Sequence, residues 1–120
     1  MSGEKSNKWT TTRSNLVGPA KREGLLAVQG LFALDSESLE AGLPTVEKAA
    51  PDAVEMLPGV ILPTIAGQLA RRGTLPPLIA GGLIRTAAQV DAVLSAGAVA
   101  VSTSETSLWE YSRSADQGRR

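Results

Sequence analysis

The chain of 120 residues contains neither cysteine nor histidine. The first absence excludes a disulfide framework and a thiolate metal site. The second removes the commonest general base and the commonest metal ligand. Aromatic residues are scarce, limited to Trp9, Phe32, Trp109 and Tyr111. A core must therefore be built from Ala, Val, Leu and Ile. Neither sign of charge dominates, because 12 Lys and Arg balance 12 Asp and Glu. A neutral chain exerts no global pull on nucleic acid, so RNA contact would need a local patch. No apolar run approaches the ~20 residues that cross a bilayer. Residues 1–8 are polar and lack the apolar stretch of a signal peptide. A cytoplasmic protein is expected.

What is present alternates. Residues 1–8 are expected to be disordered. The β-branched segment Trp9-Thr10-Thr11-Thr12 suits a short strand. Ser14 or Asn15 is a candidate N-cap for a helix ending near Lys21, which Gly18-Pro19 should break or shorten. Residues 25–34 are continuously apolar and fit a buried parallel strand. Asp35 and Ser36 can cap the next helical stretch, which Gly42 and Pro44 should divide in two. Residues 53–57 form the next strand, stopped by Pro58-Gly59. A helix over 63–72 and a strand over 78–80 follow. Thr86-Ala87-Ala88-Gln89 is a capping box that opens a helix stopped by Gly97. A strand over 98–101, a short helix over 106–111 and a polar tail over 112–120 complete the pattern.

Strands recurring roughly every 20–25 residues with helices between them predict parallel βα units. A closed (β/α) barrel needs eight strands and about 250 residues. Four clear units and a remnant of a fifth over residues 9–111 predict an α/β fold, a partial TIM-barrel-like half-barrel. Such a half leaves two open sheet edges and an uncovered interior. It must pair with another copy, sit on a partner, or belong to a longer protein.

Two strand ends carry the chemistry. Pro77-Leu78-Ile79-Ala80-Gly81-Gly82 ends in glycines, and Ala100-Val101-Ser102-Thr103-Ser104 ends in hydroxyls. Glycine lets a phosphate approach the backbone, and adjacent βα loops of this kind hold phosphate at the end of (β/α) barrels. Gly81, Gly82, Ser102, Thr103 and Ser104 are thus a candidate phosphate cradle. Ordinary turn and cap chemistry would use the same residue types.

Five segments appear together and in order: Ser14-Asn15-Leu16; Gln29-Gly30-Leu31-Phe32-Ala33-Leu34-Asp35-Ser36; Pro51 through Gly59; Ile79-Ala80-Gly81-Gly82-Leu83-Ile84; and Ala100-Val101-Ser102-Thr103-Ser104 with Leu108-Trp109. On these residues the chain resembles the C-terminal half of the glycerol-3-phosphate-responsive antiterminators, over roughly residues 11–109. The resemblance implies a small (β/α) barrel that binds glycerol 3-phosphate as its effector, has no cofactor, binds leader mRNA of glycerol-metabolism operons, and is not an enzyme. The chain departs from the family in lacking its first strands, in having Gly30 where an arginine is expected, and in the Gly18-Pro19 interruption.

Under that resemblance Gln29, Glu55 and Arg13 are candidates for the glycerol end of the ligand. A carboxylate in a buried strand needs a partner or a polar cavity. Glu55 therefore meets either the glycerol hydroxyls or a cation such as Arg13. Gln29 points either to the ligand or to neighbours that satisfy its amide, and Arg13 equally suits the surface. Arg71-Arg72 and Arg119-Arg120 are thin basic clusters with no interleaved aromatics for base stacking, so RNA binding rests on the resemblance alone. The competing function is a phosphate-binding barrel enzyme. Asp35 and Glu55 are its only acid–base candidates, and no lysine stands at a clear strand end. A truncated fragment without function is the third alternative.

Overall fold

Five strands of small and branched residues lie side by side, in chain order, in one parallel sheet. They are β1 (Trp9–Thr12), β2 (Leu26–Phe32), β3 (Ala53–Leu57), β4 (Leu78–Gly81) and β5 (Ala100–Ser102). Between them run α1 (Val17–Arg22), α2 (Ser36–Ala49), α3 (Leu62–Ala70), which is entered through a 3₁₀ turn at Gly59–Ile61, and α4 (Ala87–Ser95). This computed structural model describes residues 9–12, 16–105 and 108. Sequential order with one helix per crossover is that of a (β/α) barrel, here a partial, TIM-barrel-like one.

The register decides what each face carries. Leu31, Met56, Ala80 and Val101 align across β2 to β5, and Gln29 aligns with Val54 and Leu78. Successive side chains alternate between faces, so these rows share one side. They meet Leu39, Leu43, Leu62, Ile65, Val90 and Val93 of the helices in the buried core. The other side carries Gly30, Glu55, Ile79 and Ala100 in one row, with Gly81 beside Ser102 one step further on. At the ends of β2, Leu26 and Phe32 stand exposed on this second face, Phe32 at 62%.

Local signals set the helix starts. Asp35 is the N-cap of α2: its carboxylate accepts the Ser38 N–H at 2.7 Å, while the Ser38 hydroxyl accepts the Asp35 N–H. Thr86 and Gln89 form the same reciprocal box at α4.

Three expectations are corrected. Gly42 and Pro44 do not divide the helix; α2 is continuous through both. Proline there removes one backbone bond and costs about 3 kcal/mol, and glycine costs about 1. Full burial of Leu39, Leu43 and Val46 returns roughly 1.5–3 kcal/mol each, which outweighs both. The N-cap of α1 is Leu16, without a side-chain bond, rather than Ser14 or Asn15. Pro19 sits in that helix's first turn, where its missing N–H costs nothing. The last strand starts at Ala100 rather than Ala98. The terminal segments 1–8 and 112–120, and the helix expected over 106–111 apart from Leu108, lie outside the described residues.

The Ser38 backbone N–H, and then its side chain, hold the Asp35 carboxyl below its ordinary value of 3.8. A depressed folded value means that this cap stabilises the fold above the unfolded value and is lost as pH falls through the folded one. Urea unfolding between pH 7 and pH 2.5 should show that loss. Asp35→Asn, which keeps a capping oxygen without a titrating proton, should remove that part of the pH dependence. An unchanged pH profile in the variant would contradict the assignment.

Candidate functional site

β4 ends against a close backbone contact. A methyl group on Gly59 would collide with the Gly81 nitrogen and would lie 2.8 Å from the Ala80 Cα. The turn after β3 is thereby pressed onto the end of β4. A methyl on Gly81 would instead strike the carboxylate of Glu55. Glu55 therefore lies over Gly81 on the open face, as their shared side of the sheet requires.

The chain then turns sharply. Gly82 has φ +92°, a conformation natural to glycine. Leu83 has φ +61°, which costs a non-glycine residue about 1–2 kcal/mol, and its side chain is exposed. The loop after β5 is fastened to this turn: the Thr103 hydroxyl donates to the Ile84 carbonyl at 2.7 Å and accepts the Glu105 N–H at 3.1 Å. Between the two loops lies a cleft of about 240 Å³, lined by Gly82, Leu83, Ile84, Arg85, Ser102, Thr103 and Ser104.

The structure thus gathers Gly82, Ser102, Thr103 and Ser104 at one place, the C-terminal ends of β4 and β5. Gly81 lies just inside, against Glu55. Thr103 is a brace between loops, since its proton goes to Ile84. Ser102 and Ser104 carry the hydroxyls on this wall that such bracing does not occupy.

Gln29 does not join them. Its side chain lies on the helix side of the sheet, 97% buried, with Nε2 donating to the Thr45 hydroxyl at a long 3.5 Å. Its Oε1 has no partner among the described residues. Of the two alternatives for Gln29, the ligand or its neighbours, the structure has its amide among neighbours: it shares the parity of Leu31 and Val54, not that of Glu55. Arg13 lies outside the described residues.

Arg85 was missed by sequence reasoning, which attended to glycines and hydroxyls. Its place between Ile84 and the Thr86 cap was the available signal. Of the other candidates, Asp35 is committed to the α2 cap and Arg72 to Glu47 and Glu40, at 2.7 and 3.5 Å. Two larger hollows, of about 470 and 300 Å³, lie at the opposite end of the sheet around Leu75, Pro76 and Pro77. Ligands of (β/α) folds bind at the C-terminal strand ends, so the smaller polar cleft is the better candidate. Among the described residues no cluster of His, Cys, Asp or Glu could hold a metal ion, and no helix is long and apolar enough to cross a membrane.

A parallel sheet in chain order, with a polar cleft at the ends of its last two strands, defines a (β/α) barrel segment. The model of the family described as glycerol-3-phosphate responsive antiterminator matches residues 6–109, and the chain belongs to that family. It is 32% identical over 103 residues to the uncharacterized protein YgcP of Escherichia coli (strain K12), covering 86% of this chain and 53% of that protein. Among solved structures it is similar to the glycerol uptake operon antiterminator regulatory protein of Listeria monocytogenes (41% identity, TM-score 0.73, 83% of this chain, 53% of that one). A glycerol uptake operon antiterminator-related protein of Thermotoga maritima is also similar (33% identity, TM-score 0.73, 86% of this chain, 58% of that one). FabK of Thermotoga maritima, at 21% identity and TM-score 0.55, shares the fold. The chain spans little more than half the length of YgcP and of the two antiterminator structures.

The two glycines separate by what opposes a methyl group. Gly59→Ala meets backbone, which cannot move aside, and should destabilise the fold by about 1–3 kcal/mol in denaturant unfolding. Gly81→Ala meets the end of a flexible side chain and should cost clearly less. The reverse order would show that the strand end is not held as described.

Proposed function

We propose that this chain supplies the phosphate-gripping side of a glycerol 3-phosphate sensor that controls transcription antitermination. The observation that carries the proposal is the cleft joining Gly82, Ser102 and Ser104 across two braced loops at the barrel end. It suits a phosphate group, and family membership supplies the effector. Glu55, on the open face beside Gly81, is positioned to accept hydrogen bonds from the glycerol hydroxyls, and Arg13 is proposed as a further residue for that end of the ligand.

In this role the protein is a regulator without catalytic activity, working in the cytoplasm. Ligand binding shifts the population toward a form that holds leader mRNA of glycerol-metabolism operons. Of the Arg71-Arg72 pair, Arg72 is engaged by two glutamates, so the RNA reading rests on family membership. The open face carrying Leu26 and Phe32 requires a cover, supplied either by a second copy or by the half of the barrel that the relatives' extra length represents.

Glycerol 3-phosphate should raise the melting temperature of the 120-residue chain, and Gly82→Asp should abolish that stabilisation, because a side chain at φ +92° strains the turn that forms one wall of the cleft and adds a carboxylate beside it. Equal stabilisation of the variant would remove the cradle from the site. In a gel-shift experiment, leader RNA of a glycerol operon should be retarded only with ligand present. Retardation that ignores the ligand, or none at all, would contradict the regulatory role.

A further inference from the structure

We infer that Arg85 makes the cleft selective for a doubly charged phosphomonoester over neutral polyols. The inference rests on the cleft being the effector site and adds to that reading the residue that recognises charge. Of the seven residues lining the cleft, Arg85 alone carries a formal charge, and none is a carboxylate. An anion entering between the loops therefore meets one positive group and no opposing one within the lining. Serine hydroxyls and backbone amides hydrogen-bond neutral oxygens as well as charged ones, so the neutral part of the cradle discriminates poorly. A guanidinium does discriminate, and its planar fork matches two phosphate oxygens at once.

The backbone holds Arg85 ready for this task. Its N–H donates to Gln89 Oε1 at 2.7 Å, and the Thr86 N–H donates to the same atom at 3.2 Å. The start of α4 thereby pins the residue at the rim of the cleft. From the other side, Thr103 holds the Ile84 carbonyl. Leu83, in its left-handed conformation, completes a turn whose backbone is fixed on both flanks. The side chain itself is exposed and has no ion-pair partner among the described residues, unlike Arg72, which Glu47 and Glu40 hold. A cation anchored at its Cα and uncommitted at its guanidinium is suited to receive a ligand rather than to brace the fold.

Calorimetric titration of the full 120-residue chain with glycerol 3-phosphate, inorganic phosphate and glycerol tests this. The wild type should bind glycerol 3-phosphate best, phosphate more weakly and glycerol not measurably. Its affinity should fall as NaCl is raised. Arg85→Met should lose at least tenfold in affinity for glycerol 3-phosphate and most of that salt dependence, with the melting temperature of the free protein unchanged. Arg85→Lys should retain the salt dependence at intermediate affinity. If the wild type binds and Arg85→Met binds equally well with the same salt dependence, Arg85 has no such role while the cleft stands. If the wild type binds none of the three, the cleft is not the effector site and both ideas fall.

Discussion

The backbone of Gly59 lies where any side chain would run into the end of β4. This contact sets the height at which β4 stops, and the remaining parts of the site are positioned from it. Gly81 is held with Glu55 across its open side, and Gly82 and Leu83 turn immediately afterwards. Ile84 then offers its carbonyl to Thr103 and leads Arg85 and Thr86 into α4. A larger residue at position 59 would displace the strand end, and with it one wall of the cleft. The buried rows around Met56 and Ala80 stabilise the sheet, but they do not determine where its end lies. Stability and site geometry thus depend on different faces of the same strands.

Much of this was legible in the residues. Continuous apolar segments between turn signals marked the strands, because a parallel sheet with helices upon it needs them. The pairs Asp35 with Ser38 and Thr86 with Gln89 each satisfy helix-end donors locally, and such chemistry is readable over four residues. Pro44 was misleading because its cost is local while the compensation, burial of Leu39, Leu43 and Val46, is tertiary. The side on which Gln29 lies was illegible for a related reason. An amide among apolar residues announces that it needs a partner but not on which side, and pairing with Val54 decides that. Arg85 gives little signal in the sequence, since a cation just before a helix N-cap looks like solvent-facing surface. Its significance comes from the β5 loop across from it, 17 residues away at Ser102.

The open face has a clear physical meaning beside relatives of which this chain spans little more than half. Every crossover in a βαβ unit has the same hand, so helices gather on one side of the sheet. The other side, with Glu55 in its central row and Phe32 at its rim, is then left for strands on the far wall of the barrel or for another chain. A half-buried carboxylate on the open face of a sheet costs little while water still reaches it. Enclosed by a far wall it would need a partner, whether the hydroxyls of a ligand or a cation. Completing the barrel and giving Glu55 a partner are in that sense one event.

The bracing of the cleft bears on how a sensor of this design would respond. Because Thr103 already links the two loops and Gln89 already fixes Arg85, a phosphate would enter a nearly finished cradle. Preorganisation favours affinity, since little ordering is left to be done on binding. It also means that the cradle itself changes little, and a ligand shifts a population only through contacts that differ between the two states. On the proposed function, the phosphate end therefore anchors the effector, while the conformational signal arises at the glycerol end. There Glu55 lies on the open face of the sheet, where the arrangement of the far wall can still differ between free and bound forms.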